Sequence, residues 1–358
     1  MSVTPPPDPL HALRDRLQAW APTTFASGDF PHREFTALRD GGWLTVTLPG
    51  ESLDARRGGA RGVLQLLRTL GQSNLSVGRI YEGHVNALQL IDTFAAPDRR
   101  DRWFAEARAG HLFGVWNTQM DDGVHLETIP SGRVRMRGSK SFCSGSVHVT
   151  RPLVTGDLAG GWQLAVVPLD DYAPPVDTAF WTPLGMQNSV SHKIDFTGIE
   201  LSDDDLLGSP GDYNRQPWLS GGAVRFAAVQ LGGAAALLAA TRDYLRALGR
   251  TTDPHQRSRV GQMAILVESG DGWLDRAARA IDRDEAVVHV ANMTRTAIAG
   301  YCEECLDLAQ HCVGARGLMH PHPVARLLTD LSMYLRQPAP DAALEAVGQY
   351  ILDADAPR

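Results

Sequence analysis

The sequence has no excess of basic residues, few cysteines and no long uninterrupted hydrophobic run. Its 34 Lys and Arg stand against 41 Asp and Glu, for a formal net charge of −7, so no basic face for nucleic acid is expected. Four cysteines in 358 residues do not make a disulfide framework and favour a reducing, cytoplasmic setting. The longest low-charge run, residues 226–240, is too short to cross a bilayer and predicts a buried helix.

A signal peptide and a metal site are not expected either. Residues 1–9 are rich in proline without the basic-then-apolar pattern of a signal peptide, which predicts a short disordered lead-in. Cys302, Cys305, His311 and Cys312 could suggest zinc. Their spacing within one helical region fits half-buried core cysteines, and no second ligand pair accompanies them, so no metal is expected.

The periodicity of the hydrophobic residues changes twice along the chain. Helical spacing up to about residue 109 gives way to short runs separated by Gly, Pro and Asp, and helical spacing returns from residue 219. This order predicts an α+β fold with an N-terminal helical domain (1–110), a middle β-sandwich or barrel domain (111–210) and a C-terminal four-helix bundle (211–358). The boundaries are set where glycine and proline interrupt both patterns, near residues 110 and 208–211.

The central stretch, residues 138–146, follows an alternating run that predicts a half-exposed strand. Phe142 stands two residues before the hydroxyl of Ser144, on an extended segment ending in Gly145. Such a segment offers a planar heteroaromatic ring a face to stack on and a hydrogen bond beside it. The simpler interpretation is that Phe142 is a core residue and Ser144 a turn residue.

Together with its neighbours, this segment resembles the acyl-CoA dehydrogenase family of flavoproteins, whose middle domain carries a Lys-x-(Trp/Phe)-x-(Thr/Ser) stretch against the flavin. Lys140, Phe142 and Ser144 stand at those positions. Three more stretches follow the family's order: Trp116-Asn117-Thr118-Gln119, Trp181 to Met186 with Ser189 and Ser191, and Val313-Gly314-Ala315-Arg316-Gly317 with the helix after it. The resemblance extends from about residue 25 to about residue 350.

The resemblance implies a bound FAD. Asn117 and Thr118 would lie at the flavin edge, Phe142 would pack on the ring, and Ser144 would bond near flavin N5. It further implies a homodimer or homotetramer in which the dinucleotide part is held across a subunit interface.

Arg250 stands where the family has an arginine for the dinucleotide part, and Gln262 matches a later glutamine less well. The turn containing Gly314 and Arg316 could cradle the pyrophosphate through backbone N–H groups and the dipole of the helix that follows. A plain helix–helix turn is the alternative interpretation of this stretch.

The chain departs from the family at the catalytic base. The glutamate that abstracts the α proton corresponds to Pro338, and the alternative carboxylate position falls near Val224. Neither residue accepts a proton. Asp341, three residues further on, is the candidate base, with Glu345 one helical turn later; otherwise these acids cap the next helix.

The leading hypothesis is an FAD-dependent oxidoreductase that oxidises a CH–CH bond next to a thioester or similar carbonyl. Its partner would be a small molecule, with CoA or a carrier protein as acyl carrier. The alternative keeps the fold: a flavin-dependent monooxygenase or oxidase that uses His84 and Ser144, because His84 lies in the helix that carries a flavin-facing histidine in related monooxygenases. The other interpretation of His84 is a satisfied structural histidine. A non-catalytic family member is the third hypothesis.

Overall fold

Helices fill both ends of the chain and strands its middle. The structure, a computed structural model, describes residues 9–54, 57–159 and 161–353, apart from the side chain of Leu219. The expected lead-in falls, except for Pro9, outside these residues. The helices are α1 (Pro9–Ser27), α2 (His32–Asp40), α3 (Ala60–Ser73), α4 (Leu75–Phe94), α5 (Pro97–Arg108), α6 (Trp218–Ala247), α7 (Pro254–Arg283), α8 (Val287–Val313), α9 (Pro323–Tyr334) and α10 (Pro340–Leu352).

The middle of the chain forms two sheets. The strands are β1 (Phe113–Trp116), β2 (His125–Thr128), β3 (Val134–Arg137), β4 (Ser139–Cys143), β5 (Arg151–Leu158), β6 (Gly161–Val166), β7 (Val176–Asp177), β8 (His192–Asp195), β9 (Glu200–Leu201) and β10 (Leu206–Leu207). The larger sheet has the order β10-β6-β5-β2-β3-β9, with β1 parallel to β5, and the smaller has the order β4-β8-β7. The predicted order of helical, β and helical parts is confirmed.

Strand β3 shows how the pattern of the sequence places one face inward. Val134 and Met136 are buried, while Arg135 and Arg137 between them are exposed, because successive side chains of a strand point to opposite faces. The predicted half-exposed strand is therefore present. On β1, Phe113 and Trp116 are fully buried and join this sheet to the core beneath the helices.

Helix α6 is the central helix of the C-terminal part and packs against α3, α7, α8 and α9. Gly71 of α3 and Gly232 of α6 let the two backbones meet: a Cβ on Gly71 would lie 2.1 Å from the carbonyl oxygen of Val229, and one on Gly232 would lie 2.1 Å from that of Arg68. This apolar segment is longer than predicted from the sequence. Residues 220–247 form one helix that is long and apolar enough to span a membrane. Because 78% of its most apolar window is buried, it serves as a core helix.

Candidate active site

A cavity of about 700 Å³ opens between the β strands, α4 and the C-terminal helices. Its volume falls within the range of about 300–1,000 Å³ found for small-molecule and cofactor sites. The lining residues come from α4 (Arg79, Glu82, Gly83, Asn86), the β part (Val115, Asn117, Thr118, Phe142, Ser144, Trp181, Met186, Ser189, Ser191), the connection to α6 and its first turns (Tyr213, Gln216, Ser220, Gly222, Ala223, Phe226), and the helices that follow (Asn292, Arg295, Met333, Tyr334, Arg336, Gln337, Pro338, Ala339, Ala342, Ala343, Ala346).

Four residues predicted from the sequence meet on the β wall of this cavity: Asn117, Thr118, Phe142 and Ser144. The segment after β1 and strand β4 are joined by a hydrogen bond of 3.0 Å from the backbone N–H of Ser141 to the carbonyl of Thr118. This pairing brings residues that are about 25 positions apart in sequence onto one surface.

Lys140 fixes Asn117 from behind this wall. The ammonium is fully buried and donates to the Asn117 carbonyl (3.1 Å), to Gln119 Oε1 (2.7 Å) and to Thr155 Oγ1 (2.9 Å). Thr155 in turn donates to Asn117 Oδ1 at 2.7 Å. Burial lowers the pKa of Lys140 to about 8. Because all three donors are used, Lys140 holds the Asn117 backbone and side chain in one orientation at the cavity.

Phe142 presents its ring to the cavity from a strained backbone. Its φ is +55°, an unusual conformation for a bulky residue, and it stands where the pairing of β4 with β8 shifts register. The ring is 44% exposed, and its edge contacts are to Phe180 (5.1 Å between centroids) and Trp181 (6.1 Å). The interpretation of Phe142 as a core residue is therefore wrong, since a face of the ring stays open.

A chain of serine hydroxyls lies beside this ring. Ser144 Oγ is 2.9 Å from Ser191 Oγ, which is 2.8 Å from Ser189 Oγ. Trp116 Nε1 donates to the Ser144 carbonyl at 3.1 Å and holds the turn in place. Three hydroxyls in series can relay donor and acceptor roles to one planar ligand.

The loop that carries Trp181 and Met186 is fixed against the C-terminal helices. A Cβ on Gly185 would lie 2.2 Å from the carbonyl oxygen of Thr329 on α9, and the Met186 N–H donates to Asp330 Oδ1 at 2.7 Å. Burial raises the pKa of Asp330 even though this hydrogen bond acts in the opposite direction. Two stretches that the sequence analysis treated as separate resemblances thus meet at this contact, and Met186 lines the cavity beside it.

The charged cluster on α4 was not predicted from the sequence. Glu82 is buried and pairs with Arg79 at 2.7 Å, and its other oxygen lies 3.7 Å from Nε of Arg225 on α6. Arg225 is buried and donates to Asn86 Oδ1 and Gln89 Oε1, both at 2.5 Å. Glu82 and Asn86 face the same side because residues three and four apart in a helix are neighbours. This four-residue spacing is the sequence signal that could have shown that the two residues share one face of α4.

Neither predicted base reaches the cavity. Pro338 and Ala339 line it, whereas Asp341 lies exposed in the first turn of α10, outside the lining, and Glu345 is exposed one turn later. The double-proline turn does not carry Asp341 inward, because α10 begins at Pro340. The alternative interpretation, a first-turn acid near a helix N-terminus, matches the place of Asp341.

His84 is buried and does not line the cavity, which favours its interpretation as a structural histidine over the predicted catalytic role. Its Nδ1 accepts from the Phe113 N–H at 3.1 Å, which leaves Nε2 to donate to the Leu44 carbonyl at 2.7 Å. Burial lowers the pKa of His84 to about 4. The ring is a neutral structural link between α4, β1 and the loop after α2, and the neighbouring positions Glu82, Gly83 and Asn86 face the cavity instead.

The residues expected at the dinucleotide part lie apart from the cavity within one chain. Arg250 follows α6, and Gly314 and Arg316 follow α8; all three are exposed. Gln262 is also exposed and pairs with Glu304. Their predicted place across a subunit interface stays a prediction.

The four cysteines carry no metal site in the part of the chain that the structure describes. Cys143, Cys302, Cys305 and Cys312 are free and buried, and no group of three or more His, Cys, Asp or Glu among residues 9–54, 57–159 and 161–353 could hold a metal ion.

Comparisons with known proteins agree with this architecture. Residues 216–335 match the family model for the acyl-CoA dehydrogenase C-terminal domain. The dibenzothiophene monooxygenase of Mycolicibacterium goodii is 22% identical over an alignment of 402 positions that covers 97% of this chain and 94% of that protein.

Solved structures from two kinds of enzyme superpose on the chain. FMN-bound dibenzothiophene monooxygenase from Paenibacillus sp. A11-2 has a TM-score of 0.83 at 21% identity, covering 97% of both chains. Methanesulfinate monooxygenase from Pseudomonas fluorescens has a TM-score of 0.82 at 20% identity, covering 98% of both. Butyryl-CoA dehydrogenase from Megasphaera elsdenii has a TM-score of 0.85 at 16% identity, covering 96% of both. The predictions of the superfamily and of an oxidoreductase with this fold are confirmed. The chain therefore has the acyl-CoA dehydrogenase superfamily fold, with that superfamily's C-terminal domain in residues 216–335.

Proposed function

We propose that the chain is a flavin-dependent monooxygenase that binds FMN in the 700 Å³ cavity and transfers one oxygen atom of O₂ to a small molecule. The observation that carries this proposal is the absence of a free carboxylate from the described lining of the cavity. Pro338 lines it where the dehydrogenases have their glutamate, and the second carboxylate position is the buried Val224.

Dehydrogenation next to a carbonyl requires a base within hydrogen-bond reach of the α proton. Glu82 is the one carboxylate among the described lining residues, and it lies between the guanidinium groups of Arg79 and Arg225. These ion pairs occupy both of its oxygens and hold the side chain against α4 and α6. Oxygen transfer needs no such base, so the cavity fits the alternative hypothesis better than the CH–CH dehydrogenase that led the sequence analysis.

The described residues of the β wall fit a flavin ring. Phe142 and Trp181 offer apolar surface, Ser144 heads the chain of hydroxyls, and Asn117 and Thr118 lie at the same wall. A bound flavin, once reduced, supplies two electrons, so that one oxygen atom of O₂ enters the substrate and the other leaves as water. The residues of the chain orient the ring and the substrate and keep bulk water away.

FMN rather than FAD is proposed because a dibenzothiophene monooxygenase with this fold has been crystallised with FMN. Arg250, Gly314 and Arg316, expected at the dinucleotide part of FAD, lie outside the cavity of one chain, so FAD would need a second copy of the chain to bring these residues to its dinucleotide part. A homodimer or homotetramer is proposed as the assembly, and a reducing, cytoplasmic setting is inferred from four free, buried cysteines.

The decisive experiment compares two reactions on the purified protein. With FMN, a flavin reductase, NADH and ¹⁸O₂, a panel of aryl sulfides and small sulfinates is screened by mass spectrometry, and incorporation of one ¹⁸O into a product is expected. In parallel, the flavin-loaded protein is mixed without oxygen with a panel of acyl thioesters. Bleaching of the flavin by a thioester, with no oxygen incorporation in the first panel, would overturn the monooxygenase in favour of a dehydrogenase.

A further inference from the structure

The charges that line the cavity do not balance. Its described lining contains Arg79, Arg295 and Arg336 against the single carboxylate of Glu82. Glu82 pairs with Arg79 at 2.7 Å, and Arg336 pairs with Glu303 at 2.5 Å on the protein surface. Arg295 is thus the lining cation that has no carboxylate within 4 Å among the residues described.

Arg295 lies half-buried on α8 with most of its donors unused. One Nη donates to the Pro338 carbonyl at 2.8 Å, and the guanidinium carbon lies 5.1 Å from the ring centroid of Phe226. Burial lowers the pKa of Arg295, and no neighbouring acid counteracts it. A guanidinium carries five N–H donors in a fixed fork that matches two oxygens of one anion, and one of them is bonded to the described residues.

Asn292 provides a second polar group beside Arg295. It stands three residues earlier on α8, so both side chains lie on one face of the helix. Asn292 is 9% exposed and lines the same cavity, and its amide makes no hydrogen bond to another described residue. The amide can therefore donate to and accept from a ligand in the cavity.

We propose that Arg295 and Asn292 bind an oxyanion of the substrate, such as a carboxylate or a sulfinate, with the oxygens held by the guanidinium fork and the Asn292 amide. This inference rests on the proposed function and narrows it to anionic substrates. Arg295 donates to the carbonyl of Pro338, the residue that corresponds to the carboxylate of the dehydrogenases. This chain therefore has a cation next to that position, and its positive charge favours anionic over neutral and cationic substrates.

The test measures binding of matched probes to the FMN-loaded protein by calorimetry. Benzenesulfinate and benzoate are the anionic probes, and methyl phenyl sulfoxide and benzamide are their neutral counterparts. We expect the anions to bind more tightly than the neutral compounds, and Arg295→Gln to weaken anion binding at least about tenfold. Arg295→Lys is expected to retain part of the affinity, since it keeps the charge and loses the fork.

A control variant and a folding check distinguish loss of the anion subsite from other causes of weaker binding. Arg242→Gln removes an exposed cation paired with Asp243 and should leave anion binding unchanged, while circular dichroism confirms that each variant folds. Equal affinity for anionic and neutral probes, or no anion binding at millimolar concentration, would overturn the subsite. So would an Arg295→Gln variant that loses FMN instead, because Arg295 would then hold the flavin phosphate. If the protein binds no flavin, the monooxygenase proposal fails on its own, and anion binding is still measured on the flavin-free protein.

Discussion

At the scale of single residues, the structure separates side chains that look alike in the sequence. His84 and Glu82 are two positions apart on α4, and the histidine is the more conspicuous candidate for catalysis. The histidine points into the core, where two backbone groups satisfy it, whereas the glutamate lines the cavity. A helix turns about 100° per residue, so neighbouring positions face different surroundings.

His84 leads to a prediction about pH and stability. Its pKa is about 4 in the folded protein against 6.5 for a free histidine, so the unfolded chain binds the proton between these values. The free energy of unfolding is therefore unaffected above about pH 6.5 and falls as the pH drops towards 4, by about 2 kcal/mol at pH 5 from this residue. Urea unfolding of the wild type and of His84→Gln, at neutral pH and at pH 5, measures the effect.

The variant should differ from the wild type in two ways. At neutral pH, His84→Gln should be less stable by about 1–3 kcal/mol, since its hydrogen bonds to the backbone are disturbed. Between neutral pH and pH 5 it should lose about 2 kcal/mol less than the wild type. An identical pH dependence in both proteins would show that the histidine is not kept neutral by burial. FMN affinity is expected to stay the same, because His84 does not line the cavity.

At the scale of elements, the crossing of α3 and α6 determines where α6 can lie. Gly232→Ala would place a Cβ 2.1 Å from the Arg68 carbonyl, and backbone cannot move aside cheaply. We expect a loss of about 1–3 kcal/mol or more in the free energy of unfolding. Gly261→Ala on α7 is the matched control, since a Cβ there meets nothing within 4 Å, and it should stabilise by about 0.5–1 kcal/mol. Equal effects of the two substitutions in urea titrations would contradict the close packing.

The contact of the Trp181 loop with α9 provides a second test at this scale. Asp330→Ala removes the acceptor of the Met186 N–H and leaves a buried donor unpaired, which costs about 1–3 kcal/mol. Because the loop forms one wall of the cavity, FMN affinity measured by quenching of flavin fluorescence should fall as well. Asp330→Asn keeps an acceptor oxygen at the same place and should retain both stability and affinity. A variant with asparagine that behaves like the alanine variant would show that the charge, not the hydrogen bond, matters.

At the scale of the whole molecule, the sequence predicts architecture better than it predicts the site. Periodicity alone separated the strands from the helices on either side, because burial of one face imposes a period on each type of element. The resemblance pointed to Asn117, Thr118, Phe142 and Ser144, since each belongs to a short motif whose residues are close together in the sequence. Arg295 and Asn292 on α8 and Glu82 on α4 are brought together only by the tertiary packing. Helical spacing shows which residues share a face of one helix, but it does not show that the face lines a cavity.

Because the cavity lies between the β part and the helices, a bound flavin should stabilise the whole chain. A ligand that binds only the folded state adds about 2.7 kcal/mol at a concentration of 100 times its Kd, so saturating FMN should raise the Tm by several degrees. Phe142→Ala should abolish most of this rise with little effect on the flavin-free protein, since the ring is 44% exposed without a ligand. Leu184→Ala, in the loop from Trp181 to Met186 and 76% exposed but outside the cavity lining, should leave the rise intact. If FMN raised the Tm of the Phe142 variant as much as that of the wild type, the flavin would have to bind elsewhere, because the exposed ring is the face on which it is expected to stack.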